Sequence, residues 1–80
     1  MSREAVFEKL NEVFREQFDD ENLTVTDETT AKDIDGWDSL EHIDLIASVE
    51  EAFGVHFTMA EVIGLGNVGE MTDLILQKQS

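Results

Sequence analysis

Apolar residues recur at helical spacing through most of the chain, and alternating, strand-like stretches are short. Apolar side chains three or four residues apart share one face of an α-helix. The first such pattern starts after Ser2, a suitable cap, and runs to about Phe18, with glutamates on its other side. We predict a first helix here, and its core face consists of Val6, Leu10, Val13 and Phe14, widened by Phe7 and Phe18.

A long polar connection over residues 19–33 follows this helix. Leu23 and Val25 are the apolar side chains expected to anchor it to the core. Connections of this length usually carry a function or short structure of their own.

A second helical pattern covers residues 39–53, after an Asp-Gly turn at positions 35–36. Asp38 is expected to cap this helix, and Glu41 completes a capping-box arrangement with it. Ser39 then takes the first helical position. Its hydroxyl lies at the positive end of the helix dipole, where a phosphate is favoured.

Winding at about 100° per residue gives this second helix two different faces. The predicted core stripe is Ile43, Ile46, Val49 and Phe53, with Leu45 at its edge. The opposite face carries a small apolar patch, Leu40 and Ala47, flanked by Glu41, Asp44, Glu50 and Glu51. Such a patch suits docking of a basic partner with an apolar notch. From the pattern alone, a charged outer face with incidental apolar residues explains it equally well.

Two shorter patterns complete the chain. A Thr-x-x-Glu capping box at positions 58–61 opens a brief helix from Met59 to about Ile63, and glycines follow at 64 and 66. The last helix begins near Asn67 or Val68 and runs to about Gln79. Its predicted inward stripe is Val68, Met71, Leu74 and Ile75. These elements predict an all-α fold in a single domain, residues 1–80.

Composition narrows the function classes. The net charge is −14, from 19 acidic and 5 basic residues. This charge argues against nucleic-acid binding, which requires Lys and Arg to neutralise the phosphates. It favours basic partner proteins, whose approach would be steered by electrostatic attraction. The chain has no cysteine, so thiol chemistry would need a prosthetic group. With no signal peptide and no apolar run of membrane-spanning length, we expect a cytoplasmic monomer.

The triplet Asp38-Ser39-Leu40 and the acidic helix after it resemble the acyl carrier proteins, the small shuttles of fatty-acid and polyketide synthesis. The resemblance extends over nearly the whole chain, and residues 36–53 are its most specific part. It implies a four-helix bundle with a long first loop and a short third helix. Two positions depart from the family pattern. Trp37 stands where a small residue is common, and Ala47 stands where a larger apolar residue is common.

The resemblance also implies a mechanism without catalysis by the protein itself. A phosphopantetheinyl transferase would attach 4′-phosphopantetheine to Ser39, and the thiol of that group would hold acyl chains as thioesters. The further partners would be acyl-loading, condensing or acyl-transferring enzymes with basic docking patches. The implied partner-binding residues are Glu41, Asp44, Ala47, Glu50 and Glu51. Between enzymes, an acyl chain is predicted to lie among the helices, in a cavity bordered by Ile46, Val49, Phe53 and Ile63.

Other readings remain open at the level of sequence. The same fold serves aminoacyl and peptidyl carriers, and an acidic helical module that is never modified would look similar. Ser39 and His42 lie one helical turn apart and suggest a nucleophile and base of a hydrolase. Two neighbours on one small helix, however, provide no oxyanion hole and no substrate pocket. Acids around Gly36 hint at a calcium loop, but Ala31 and His42 stand where that motif requires carboxylates.

Overall fold

Four α-helices make up the fold in a computed structural model that describes residues 1–79; Ser80, the last residue of the predicted domain, lies outside this range. The helices are α1 (Arg3–Gln17), α2 (Ser39–Phe53), α3 (Met59–Gly64) and α4 (Val68–Gln79), with a 3₁₀ turn at Ala31–Asp33. The described residues contain no strand. The predicted all-α bundle is therefore confirmed, including the short third helix and the long first loop.

The core forms where α1 packs against α2 and α4. Val6, Leu10 and Phe14 of α1 are fully buried, as their spacing predicts. Burying one such side chain stabilises the folded state by about 1.5–3 kcal/mol, so this stripe accounts for much of the free energy that holds α1 in the bundle.

The long loop between α1 and α2 is hydrogen-bonded to both α1 and α4. Val25 is buried, and its N–H donates to the Asn11 side chain on α1 at 2.7 Å. On α4, the N–H of Val68 donates to the carbonyl of Thr29, and that of Gly69 donates to the carbonyl of Asp27. The loop thus caps the start of α4, and the expected anchoring by Val25 is confirmed.

Two predicted stripes need correction. Ile43 is 53% exposed, whereas Leu45, placed at the edge of the stripe, is fully buried. The buried arc of α2 is displaced toward Leu45, and Ile43 lies on the side that faces α3. On α4, Thr72 is fully buried and Leu74 only partly so. The Thr72 hydroxyl tolerates burial because it donates to the Val68 carbonyl at 2.9 Å.

None of the helices in residues 1–79 has the length and apolar character needed to cross a membrane.

Candidate functional site

Ser39 is the first residue of α2, and it is exposed. Asp38 caps the helix, since its carboxylate accepts the N–H of Glu41 at 2.8 Å. Gly36, with φ of +88°, turns the chain just before the cap. The Ser39 hydroxyl therefore stands free at the positive end of a well-formed helix, as predicted.

The capping box predicted at this helix start is only half formed. The Glu41 carboxylate does not return to the cap but accepts from the Gln17 side chain on α1. Gln17 in turn accepts from the Ser48 hydroxyl at 2.9 Å. Gln17 thus fastens α1 to one side of α2, and Glu41 is part of that connection.

A groove between α2 and α3 opens beside the serine and has a volume of about 440 Å³. Ser39 and Asp38 lie at its edge. Its lining is mainly apolar and includes Trp37, Ile43, Met59, Val62, Ile63 and Met71. Of the four residues predicted to border an acyl cavity, only Ile63 lines this α2–α3 groove. The other three, Ile46, Val49 and Phe53, lie in the core.

Trp37 is buried at the end of the bundle, where its ring meets Phe14 edge-on at 5.3 Å between centroids. Phe18 packs against the same ring at 6.2 Å. Trp37 therefore has a structural role, since it closes this end of the core. Its indole N–H is also used, because it donates to His42 Nδ1 at 3.0 Å.

His42 has a partner at each ring nitrogen. Nδ1 accepts from Trp37, and Nε2 lies 3.2 Å from the Val62 carbonyl oxygen. A base for Ser39 would need a free ring nitrogen, so this arrangement argues against the hydrolase reading. His42 is instead a partly buried side chain one helical turn from Ser39.

Two of the acidic residues around the site have structural roles. Asp33 accepts from the N–H of Thr30, and Asp38 caps α2. Within residues 1–79, no group of three or more His, Cys, Asp or Glu side chains is placed to hold a metal ion.

The predicted docking residues of α2 differ in their availability. Asp44, Ala47 and Glu51 are exposed, and Leu40 is 81% exposed. Glu50 is partly buried because its carboxylate accepts the N–H of Phe57 at 2.8 Å.

The exposed apolar surface is larger than the sequence pattern indicated. Besides Leu40 and Ile43, it includes Met59 and Ile63 of α3, which are 67% and 77% exposed. Met59 and Ile63 are four residues apart and therefore share a helix face, while Val62 is buried. That spacing was the available signal, but a helix this short does not reveal which of its faces is outward.

Comparison of the sequence with known proteins identifies a family. The family model described as the phosphopantetheine attachment site matches residues 8–75. An acyl carrier protein of Streptococcus pyogenes serotype M1 is 38% identical over 74 residues, covering 92% of this chain and 96% of its own. One from Thermotoga maritima is 32% identical over 77 residues, covering 96% and 95%.

A solved structure gives the same result for the fold. The solution NMR structure of holo acyl carrier protein from Geobacter metallireducens superimposes with a TM-score of 0.86 at 42% identity. The match covers 92% of this chain and 85% of that one. Sequence, fold and the placement of an exposed serine at a helix start lead to one conclusion: this chain belongs to the acyl carrier protein family, whose members carry acyl groups on covalently attached phosphopantetheine and are not themselves catalysts.

Proposed function

We propose that this carrier bears its phosphopantetheine on Ser39 and shuttles acyl thioesters for fatty-acid, polyketide or a related biosynthesis in the cytoplasm. The observation that supports this most directly is the exposed Ser39 at the capped start of α2, beside an apolar groove. The family as a whole works with phosphopantetheinyl transferases and acyl-handling enzymes.

The residues present fit such a group. A phosphodiester at Ser39 Oγ would place its negative charge at the helix N-terminus, where the free N–H groups of the first turn favour anions. Asp38 keeps that helix start in place through its bond to the Glu41 N–H. The bound group supplies a thiol, which the cysteine-free chain lacks, to hold acyl groups as thioesters. The α2–α3 groove offers apolar surface for an arm or acyl chain that starts at Ser39.

We further propose that partner enzymes dock on an apolar patch next to Ser39. Its members are Leu40, Ile43, Met59 and Ile63, all more than half exposed. Exposed carboxylates at Asp44 and Glu51 lie on the same helix as Leu40, with Ala47 between them. An apolar centre with an acidic rim matches a basic partner surface that has an apolar notch. Glu41 and Glu50 contribute charge at the margin, since each also holds an internal hydrogen bond.

The intact mass tests the attachment site. The protein is incubated with coenzyme A, magnesium and a broad-specificity phosphopantetheinyl transferase. We expect a gain of one phosphopantetheine, no gain in Ser39→Ala, and an unchanged gain in Ser48→Ala, which removes a serine that bonds Gln17 instead. A wild-type protein that keeps its helical spectrum and gains nothing would favour an unmodified interaction module.

A further inference from the structure

Helix α3, one wall of the α2–α3 groove, has only six residues. Helices shorter than about 12 residues are marginal in isolation, so α3 depends on its contacts with the rest of the bundle. Its N-terminus is closed by a capping box between Thr58 and Glu61. Glu61 also binds Lys78 of α4 at 2.9 Å. These contacts fasten the first turn of α3.

The last turn of α3 is fastened by His42. The Val62 carbonyl is among the last four of the helix, which have no partner within it. His42 Nε2, from α2, lies 3.2 Å from this oxygen. A side chain of one helix therefore supplies a partner for one C-terminal carbonyl of another.

The partners of His42 determine its tautomer. The Trp37 indole nitrogen only donates, so His42 Nδ1 accepts and carries no proton. The Val62 carbonyl only accepts, so Nε2 carries the proton and donates. The chain of bonds therefore runs in one direction, from Trp37 through a neutral imidazole to α3. The rings of Trp37 and His42 also stack, with 5.9 Å between centroids and 25° between planes.

All three members of this chain line the α2–α3 groove. Trp37 and Val62 are buried, whereas Ile63 beside them is open to solvent. The chain thus crosses the crevice between α2 and α3 at the level where the groove meets the core. Separating the two helices would break the bond from His42 to Val62.

We propose that Trp37, His42 and Val62 form a latch that holds α3 against α2 and keeps a tethered acyl chain in the surface groove, out of the core. The latch then determines cargo: short or polar acyl groups fit without opening it, and long alkyl chains reach the core only when it opens. The part of this inference that concerns cargo rests on phosphopantetheine at Ser39. The part that concerns the attachment of α3 to α2 is independent of phosphopantetheine.

Hydrogen exchange of the unmodified protein tests the latch itself. In His42→Ala, the α3 amides should exchange about tenfold faster, while those of α1 keep their rates. His56→Ala is the matched control, because His56 is 97% exposed and lies outside the latch. His42→Gln offers one acceptor and one donor and should restore most of the protection, which a purely steric role would not explain. Exchange in His42→Ala within twofold of the wild-type rate overturns the proposal.

Methyl NMR of loaded protein tests the effect on cargo, with butanoyl and decanoyl thioesters as probes. Ile63 reports on the groove and Val49, fully buried, reports on the core. In the wild type, both acyl chains should shift Ile63 and leave Val49 unchanged. In His42→Ala, decanoyl alone should shift Val49. A decanoyl-induced Val49 shift of equal size in the wild type would contradict the proposal.

A second variant tests the latch if His42→Ala does not fold, and the exchange experiment does not depend on the proposed function. If His42→Ala fails to fold, Trp37→Phe removes the indole donor and retains an aromatic ring against Phe14. Faster α3 exchange in that variant supports the latch, and unchanged exchange counts against it. If the wild type takes up no phosphopantetheine, the proposed function fails, while the exchange experiment still decides on the latch.

Discussion

Lys78 Nζ on α4 lies 2.9 Å from Glu61 Oε1 on α3, so the last turn of one helix is bound to the first turn of another. The hydrogen bond from Lys78, with a second from the Thr58 N–H, holds the pKa of Glu61 below its ordinary value of 4.5. Since the folded state lowers this pKa, the ionised carboxylate stabilises the fold. The contribution is complete above the unfolded-state pKa and is lost as the pH falls through the lower, folded-state pKa.

Lys78→Gln should therefore be less stable than the wild type at neutral pH, and the difference should shrink as the pH falls below 4.5. Urea denaturation across this range measures it. Lys32→Gln, at an exposed position, removes the same charge and serves as the control. A difference that stays constant with pH would mean that Lys78 acts only through packing.

Gly69→Ala should destabilise the protein, because a Cβ at position 69 would lie 2.8 Å from the carbonyl oxygen of Asp27. The loop would have to move away from α4 and would weaken the bond from the Gly69 N–H. Overpacking of this kind costs about 1–3 kcal/mol of unfolding free energy. Gly64→Ala is the matched control, since a Cβ there meets nothing within 4 Å. Equal stabilities of the two variants would show that the loop yields freely.

Asp38→Ala should lower the unfolding free energy by about 1 kcal/mol, the usual effect of losing an N-cap. Asp38→Asn should keep the cap through its side-chain oxygen and keep the stability. Thermal unfolding compares the two, and intact mass compares their modification. A loss of modification in Asp38→Asn would then reflect the missing charge, because the start of α2 would be intact.

Charge reversal at Asp44 or Glu51 should slow association with a basic phosphopantetheinyl transferase about tenfold at low salt. High salt should remove most of that effect, since screening shortens the range of the attraction. Stopped-flow or surface-binding rates measure it. Glu8→Lys on α1 changes the net charge equally at another exposed site. Equal slowing by Glu8→Lys would attribute the effect to total charge and not to the α2 surface.

Much of the fold follows from local pattern. The α1 stripe, the Asp38 cap of α2 and the Thr58 cap of α3 all follow from neighbouring residues in the sequence. Such features depend on interactions within a few residues, which spacing and side-chain chemistry specify.

The errors arose where distant residues compete for the same space. Ile43 and Leu45 fit the core almost equally well by periodicity, and the way α2 packs in the bundle decides between them. The bond from His42 to Val62 joins residues twenty positions apart. No local sequence pattern indicates this hydrogen bond. Without it, the position of α3 and of the α2–α3 groove could not be predicted.

The single tryptophan of the chain is an intrinsic fluorescent probe of this part of the bundle. Trp37 stands two residues from Ser39 and donates its indole hydrogen to the imidazole that holds α3. With no tyrosine present, essentially all near-ultraviolet emission comes from this one indole. The protein thus carries an intrinsic fluorophore two residues from Ser39, the proposed attachment site, and the emission of this indole would follow loading without an added dye.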